Sequence, residues 1–170
     1  MISFTDLNTL PHEEFVRLLA GVYEHSDWVA RHVSEHRTFN DFPSLRDAMR
    51  DAVNLASDTE KLTLIRAHPD LAGKLARAGA LTESSTREQA GLGLDHLSDA
   101  EFDQFSDCNT RYRERFGFPF IICARKTTKQ GVLEAFATRL PHSRDTEISE
   151  ALHQIHQIAE LRLQDIIFTP

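Results

Sequence analysis

Apolar residues recur at helical spacing along most of this chain, and that period limits what it can fold into more than any single motif does. Phe15, Leu18, Leu19 and Val22 stand at i, i+3, i+4 and i+7 behind Pro11, a residue type favoured in a first helical turn. Leu45, Met49, Ala52, Val53 and Ala56 repeat the pattern behind Pro43, and Leu62, Ile65 and Arg66 carry it toward His68. Phe102, Phe105, Tyr112 and Phe116 share one face behind Ser98-Asp99-Ala100-Glu101, whose Ser-x-x-Glu spacing is that of a capping box. Gly117 then suits a helix stop. Val132, Leu133, Phe136 and Leu140 mark a further helix, and a last one runs from about Thr146 to Ile167.

Strand signals are scarce. Phe118-Pro119-Phe120-Ile121-Ile122-Cys123 is apolar throughout, but Pro119 argues against a regular central strand. An extended segment threading the core between two helices is expected there. The stretch from Lys74 to Leu81 reads as a surface loop. No repeat or linker divides the chain, and 170 residues suffice to close a hydrophobic core. The expected fold is all-α: residues 1–170 as a single-domain, multi-helix bundle with one extended buried segment.

Composition narrows the function classes. A net charge of -7 disfavours nucleic-acid or anionic-membrane partners. Cys108 and Cys123 form no CxxC pair, and two thiols cannot build a four-thiolate metal site. A reduced, cytoplasmic protein is the expectation. The opening residues Met1 to Asp6 lack the basic-then-apolar plan of a signal peptide. No apolar run approaches the roughly 20 residues that span a bilayer. Phe168-Thr169-Pro170 is not a Ser-Lys-Leu peroxisomal address.

Three places break the expected pattern. Arg162 stands within the stripe Ile148, Leu152, Ile155, Ala159 and Ile166 of the last helix. A guanidinium on a core face needs an anion. That anion is an internal carboxylate or a substrate carboxylate, unless the side chain snorkels to the surface. His68 precedes Pro69, which pushes its backbone out of the helical region and places it at a corner after a helix. It is either a helix-end histidine favoured by the dipole or a proton carrier projecting into a cleft. Asp70 is placed to cap a short following helix through Gly73 and Lys74. Ser85-Thr86-Arg87-Glu88-Gln89 reads either as another capping box or as a helix start offering N–H groups to a ligand, with Glu88 and Gln89 adding hydrogen bonds. His153 and His156 have metal-ligand spacing but no accompanying HExxH arrangement, so solvated or rim histidines are expected. His25, His32 and His36 read as surface residues.

These segments resemble those of a known family. Ala67-His68-Pro69-Asp70-Leu71-Ala72-Gly73-Lys74 and Ser85-Thr86-Arg87-Glu88-Gln89-Ala90-Gly91-Leu92 resemble hallmarks of the 2-oxo-4-hydroxy-4-carboxy-5-ureidoimidazoline (OHCU) decarboxylases. So do Asn109 through Ile121 (Asn-Thr-Arg-Tyr-Arg-Glu-Arg-Phe-Gly-Phe-Pro-Phe-Ile) and Glu160-Leu161-Arg162-Leu163. The resemblance implies a helical homodimer that needs no cofactor or metal and decarboxylates OHCU to (S)-allantoin, the last step from urate to allantoin. It implies His68 as catalytic acid/base, with Glu88 and Arg162 shaping the pocket and binding polar groups. Ser85 and Gln89 contact the ligand. Pro69 and the stretch Phe120, Ile121, Ile122, Cys123 and Ala124 form its walls, partly through backbone groups. His68, Glu88 and Arg162 are thus expected to converge on one dry pocket.

With no pyridoxal, thiamine or metal motif in the sequence, the substrate ring is the expected electron sink. Two other readings stay open at this point: a hydrolase or isomerase acting on a related ureide, and a helical ligand-binding module without catalysis. The second requires Arg162 to pair internally and His68 to face solvent.

Overall fold

Nine α-helices run through the residues that the computed structural model describes, 1–73 and 78–168. They are α1 (Phe4–Thr9), α2 (His12–Leu19), α3 (Asp27–Ser34), α4 (Phe42–Leu55), α5 (Asp58–Ala67), α6 (Glu83–Ala90), α7 (Asp99–Phe116), α8 (Lys129–Arg139) and α9 (Arg144–Ile166). A 3-10 turn occupies Ala124–Lys126. Among the described residues there is no strand, and a parallel bridge joins Ile2 to Ile167. The all-α expectation holds. Residues 74–77 of the expected Lys74–Leu81 loop lie outside the described residues, as does part of the short helix expected after Asp70. The chain forms two compact units, Met1–Ala67 with His156–Pro170, and His68–Ile155.

In the first unit, helix starts follow local chemistry. Asp41 Oδ1 accepts the Ser44 N–H at 2.8 Å while Ser44 Oγ accepts the Asp41 N–H at 3.3 Å, and Pro43 fills the first turn of α4. Pro11 sits one place earlier than its sequence context suggests, as the N-cap of α2. The short helices α1 and α3 are not apparent in the apolar period; α3 buries Val29, Ala30 and Val33 and packs against α2 and α4. Phe15, Leu45 and Val53 are fully enclosed. Two polar groups from α9 are also enclosed here. Arg162 is one. The other is His156, which is buried rather than at a rim. Its Nε2 lies 3.1 Å from Asn54 Oδ1, an acceptor, so that nitrogen carries the proton; Nδ1 then accepts the Tyr23 hydroxyl at 2.9 Å. Burial pushes the Tyr23 phenol well above its ordinary range.

The second unit is built on aromatic rings. Ser98 and Glu101 form the expected capping box at the start of α7, and Glu101 also pairs with Lys129 of α8. The Lys129 ammonium, with hydrogen bonds from Ser98, pulls the Glu101 carboxyl down to about 2. Gly117 ends α7 at φ 78°, a left-handed conformation that a side chain would strain. The chain then runs extended and buried through Phe118 and Phe120 to Cys123, as expected of this segment. Tyr112 meets the rings of Phe116, Phe118, Phe120 and Phe136 at centroid separations of 4.6, 6.0, 5.1 and 6.2 Å. Each such pair adds about 0.5–1.5 kcal/mol beyond area burial.

A charged cluster lies under these rings. Tyr112 donates its hydroxyl proton to Glu147 Oε2, Arg139 Nη2 reaches the same oxygen at 2.8 Å, and His142 Nδ1 donates to Oε1 at 2.7 Å. Arg139 also donates from Nη1 to the Ile121 carbonyl at 2.7 Å and lies 4.4 Å from the Phe120 ring centroid. Burial pushes the Glu147 carboxyl up, but hydrogen bonds from Arg139 and Tyr112 outweigh it and hold the group below the ordinary glutamate range. Burial, with the bond to Glu147, pushes the Tyr112 phenol up.

Candidate functional site

Helix α5 ends at Ala67, and Pro69 prevents its continuation. His68 therefore falls on a corner, where it is 6% exposed. This removes the solvent-facing histidine that a non-catalytic module requires. The turn that follows contains Ala72 at φ 53°, a conformation that costs a residue with a Cβ about 1–2 kcal/mol. Its polar groups are held by side chains from α6 and α7. The Ala72 N–H donates to Gln89 Oε1 at 2.9 Å, and Gln89 Nε2 donates to the Asp70 carbonyl at 3.3 Å. Asn109 Nδ2 donates to the Leu71 carbonyl at 2.8 Å. Arg113 Nε lies 2.8 and 3.1 Å from the two carboxylate oxygens of Asp70.

Ser85, Glu88 and Gln89 share one face of α6, being three and four residues apart. The cap of this helix is Thr82, whose hydroxyl accepts the Ser85 N–H at 3.3 Å. Ser85 therefore stands inside the first turn and not at the cap that the Ser-x-x-Glu pattern suggests. Ser85 and Gln89 are buried and Glu88 is half-buried. The helix packs against the 3-10 turn at Ala124–Lys126, next to the wall segment. Burial pushes the Cys123 thiol up, and the nearby Glu88 charge adds to the effect.

Phe120, Ile121, Cys123 and Ala124 are buried and Ile122 is half-buried. Arg139 holds the Ile121 carbonyl, and the Cys123 N–H donates to Gln154 Oε1 at 2.8 Å. The second unit thus groups the turn of His68 and half-buried Pro69, the Ser85–Glu88–Gln89 face and the 120–124 segment. Arg162 belongs to the first unit. Its Nη1 lies 2.6 Å from Glu24 Oε2 and 3.2 Å from the Gly21 carbonyl, so an internal carboxylate does face it. The buried face of α9 is broader than the expected stripe. Ala151, Ile158 and Leu163 are buried, whereas Ile148, Leu152 and Ile166 are half-buried.

Arg113, Arg139 and Glu147 are not distinguishable by apolar period alone, because each sits where a solvated helix residue is equally natural; Asn109 falls on the apolar face of α7 between Phe105 and Tyr112, and that spacing is the signal that could have marked it. His153 is exposed, and among the described residues no three His, Cys, Asp or Glu side chains gather as metal ligands do. A buried histidine on a turn hydrogen-bonded to the helix that bears Glu88 is chemically suited to carry a proton to or from a bound molecule.

Comparison with known proteins identifies relatives of the whole chain. The family model described as OHCU decarboxylase matches residues 8–164. A Haloferax volcanii protein named 2-oxo-4-hydroxy-4-carboxy-5-ureidoimidazoline decarboxylase is 39% identical over 96% of this chain and 95% of its own length. The crystal structure of an (S)-allantoin synthase superposes with a TM-score of 0.81 at 34% identity, covering 99% of this chain. This chain spans 55% of that longer one. A crystal structure of an OHCU decarboxylase in the presence of (S)-allantoin shares the fold, with a TM-score of 0.68 at 23% identity over 85% of this chain and 93% of the other.

Proposed function

We propose a decarboxylase function on a plain premise: this chain belongs to the OHCU decarboxylase family. The protein converts 2-oxo-4-hydroxy-4-carboxy-5-ureidoimidazoline to (S)-allantoin and carbon dioxide, the last step of urate breakdown to allantoin. The observation that carries this reading is His68, enclosed on a corner whose backbone is tied to the helix bearing Ser85, Glu88 and Gln89.

In the proposed reaction the bond from the ring to the carboxylate breaks, and its electron pair is drawn into the imidazoline ring. The ring takes up one proton in place of the departing carbon dioxide. The hydroxyl proton leaves oxygen as its carbon becomes a carbonyl, and the ureido-bearing carbon receives a proton on one face. His68 accepts the hydroxyl proton, a role worth about 10²–10⁴ in rate. Glu88 hydrogen-bonds ring or ureido N–H groups. Ser85 and Gln89 contact the ligand, and Pro69 with Phe120 to Ala124 walls it in. Arg162 is assigned to the substrate's polar groups, a role its planar fork suits. We assign these roles to one catalytic domain, a reading supported by a single family model that spans residues 8–164.

The protein is proposed to act as a homodimer in the cytoplasm. Two free cysteines and a net charge of -7 suit that compartment, and among the described residues no helix is long and apolar enough to cross a membrane. The test is a coupled assay from urate that follows the circular dichroism of allantoin with and without the protein. Faster release of carbon dioxide with one-handed allantoin is the expected result. Racemic product at the spontaneous rate excludes the function.

A further inference from the structure

The buried face of α7 runs Phe105, Asn109, Tyr112, Phe116, and Asn109 is the one residue on it without a ring. Asn109 is 5% exposed, and its Oδ1 is buried without a hydrogen-bond partner among the described residues. An apolar side chain of the same size would avoid that unsatisfied acceptor, so packing does not explain an amide here. What the amide does is donate from Nδ2 to the Leu71 carbonyl at 2.8 Å. One turn further along the same helix, Arg113 grips the Asp70 carboxylate. Neighbouring residues of one rigid helix therefore hold neighbouring residues of the His68 turn. They do so directly before Ala72, whose left-handed backbone resists that path. The Arg113–Asp70 pair is partly solvated, with side chains 46% and 27% exposed. It therefore adds little to global stability, and its geometry is the better account of its use.

We infer that Asn109 and Arg113 are positioning residues for the decarboxylation: they act on His68 through the Leu71 carbonyl and the Asp70 carboxylate and touch no substrate. The inference rests on the reading of His68 as the proton carrier. A proton carrier works only within hydrogen-bond reach of its substrate, and a misplacement of about 1 Å lowers rate by as much as about 10²-fold. Loosening the turn therefore lowers kcat and leaves KM nearly unchanged, because Ser85, Glu88, Gln89 and the 120–124 segment lie on other elements and Pro69 is the one ligand wall on the turn itself.

The experiment compares Asn109→Leu, Arg113→Gln and Arg113→Lys with His68→Ala and the wild-type protein. It measures kcat and KM for freshly generated OHCU, the pH–rate profile and the thermal unfolding midpoint. Asn109→Leu and Arg113→Gln are expected to lower kcat by about 10- to 100-fold with KM within about two-fold. Their pH–rate profiles shift, because the imidazole's surroundings have moved, and Arg113→Lys recovers part of the loss. Arg113→Gln lies at a half-exposed position and keeps the test informative should Asn109→Leu fold poorly. Wild-type kcat in a folded Arg113→Gln protein, with His68→Ala inactive, overturns the positioning role alone. Wild-type kcat in His68→Ala overturns the underlying catalytic reading instead.

Discussion

Replacing Arg162 with Met takes away the guanidinium that lies 2.6 Å from Glu24. Glu24 is 2% exposed, and the ring nitrogen of His25 is 3.9 Å from its other oxygen on a side chain that is 66% exposed. That solvated histidine is a weak substitute for a buried cation. Removing one member of a buried pair destabilises by about 3–5 kcal/mol. A protein of this size loses about 2–4 °C in Tm per kcal/mol, so the single variant melts on the order of 10 °C lower. Substituting both partners, Glu24→Gln with Arg162→Met, removes the buried carboxylate together with its guanidinium and restores stability to within about 1–2 kcal/mol of wild type. Urea unfolding followed by circular dichroism measures the stability, and allantoin formation measures turnover on the same samples. A stable double variant with depressed kcat/KM is the expected outcome if Arg162 binds substrate as well as Glu24. Full kcat/KM in the double variant refutes the substrate role. A single variant within about 1 kcal/mol of wild type refutes the energetic argument for the pair.

Three other expectations can be checked directly. His68→Ala should lower kcat by about 10²–10⁴ while leaving the far-ultraviolet spectrum unchanged, and near-normal turnover would remove His68 from the chemistry. Glu147 is held below its ordinary pKa, so its stabilisation is complete above that value, roughly pH 4.3, and is lost as pH falls through the folded pKa. The wild-type urea midpoint should therefore drop more between about pH 6 and about pH 3 than that of Glu147→Gln, and equal drops would contradict the assignment. Gly117→Ala places a Cβ at φ 78° and should destabilise by about 1 kcal/mol, measurable as a lower urea midpoint.

Much of the fold was legible because its signals are local. The Ser98–Glu101 box, Pro43 and Gly117 act within a turn of themselves, and each occupies the helix boundary its chemistry suggests. The apolar run after Gly117 is buried for the same reason it stands out in the sequence. α1 escaped because a helix of six residues shows too few periods to separate from a loop, and α3 because it lacks the leading proline that marks the equally short α2. At the site, the His68 and Ser85–Gln89 segments were visible through a proline and a capping pattern, although the cap itself belongs to Thr82. The partners were not. Glu24 is 138 residues from Arg162, and Asn109 is 38 from Leu71. Arg139 near a helix end and Glu147 in a first turn both have ordinary dipole explanations, which hides their burial.

The two enclosed phenols have a spectroscopic consequence. The chain has two tyrosines, and Tyr23 belongs to the first compact unit while Tyr112 belongs to the second. Burial raises both, so neither ionises in the folded protein near pH 10, where a solvated tyrosine does. Their contribution to stability is complete below that pH and is lost as pH rises beyond it. Tyrosinate absorbance in alkali therefore reports loss of structure rather than surface titration, with one reporter in each unit. Two separated absorbance steps, assigned with Tyr23→Phe, would mean that one unit yields to alkali before the other; a single step would mean that they open together.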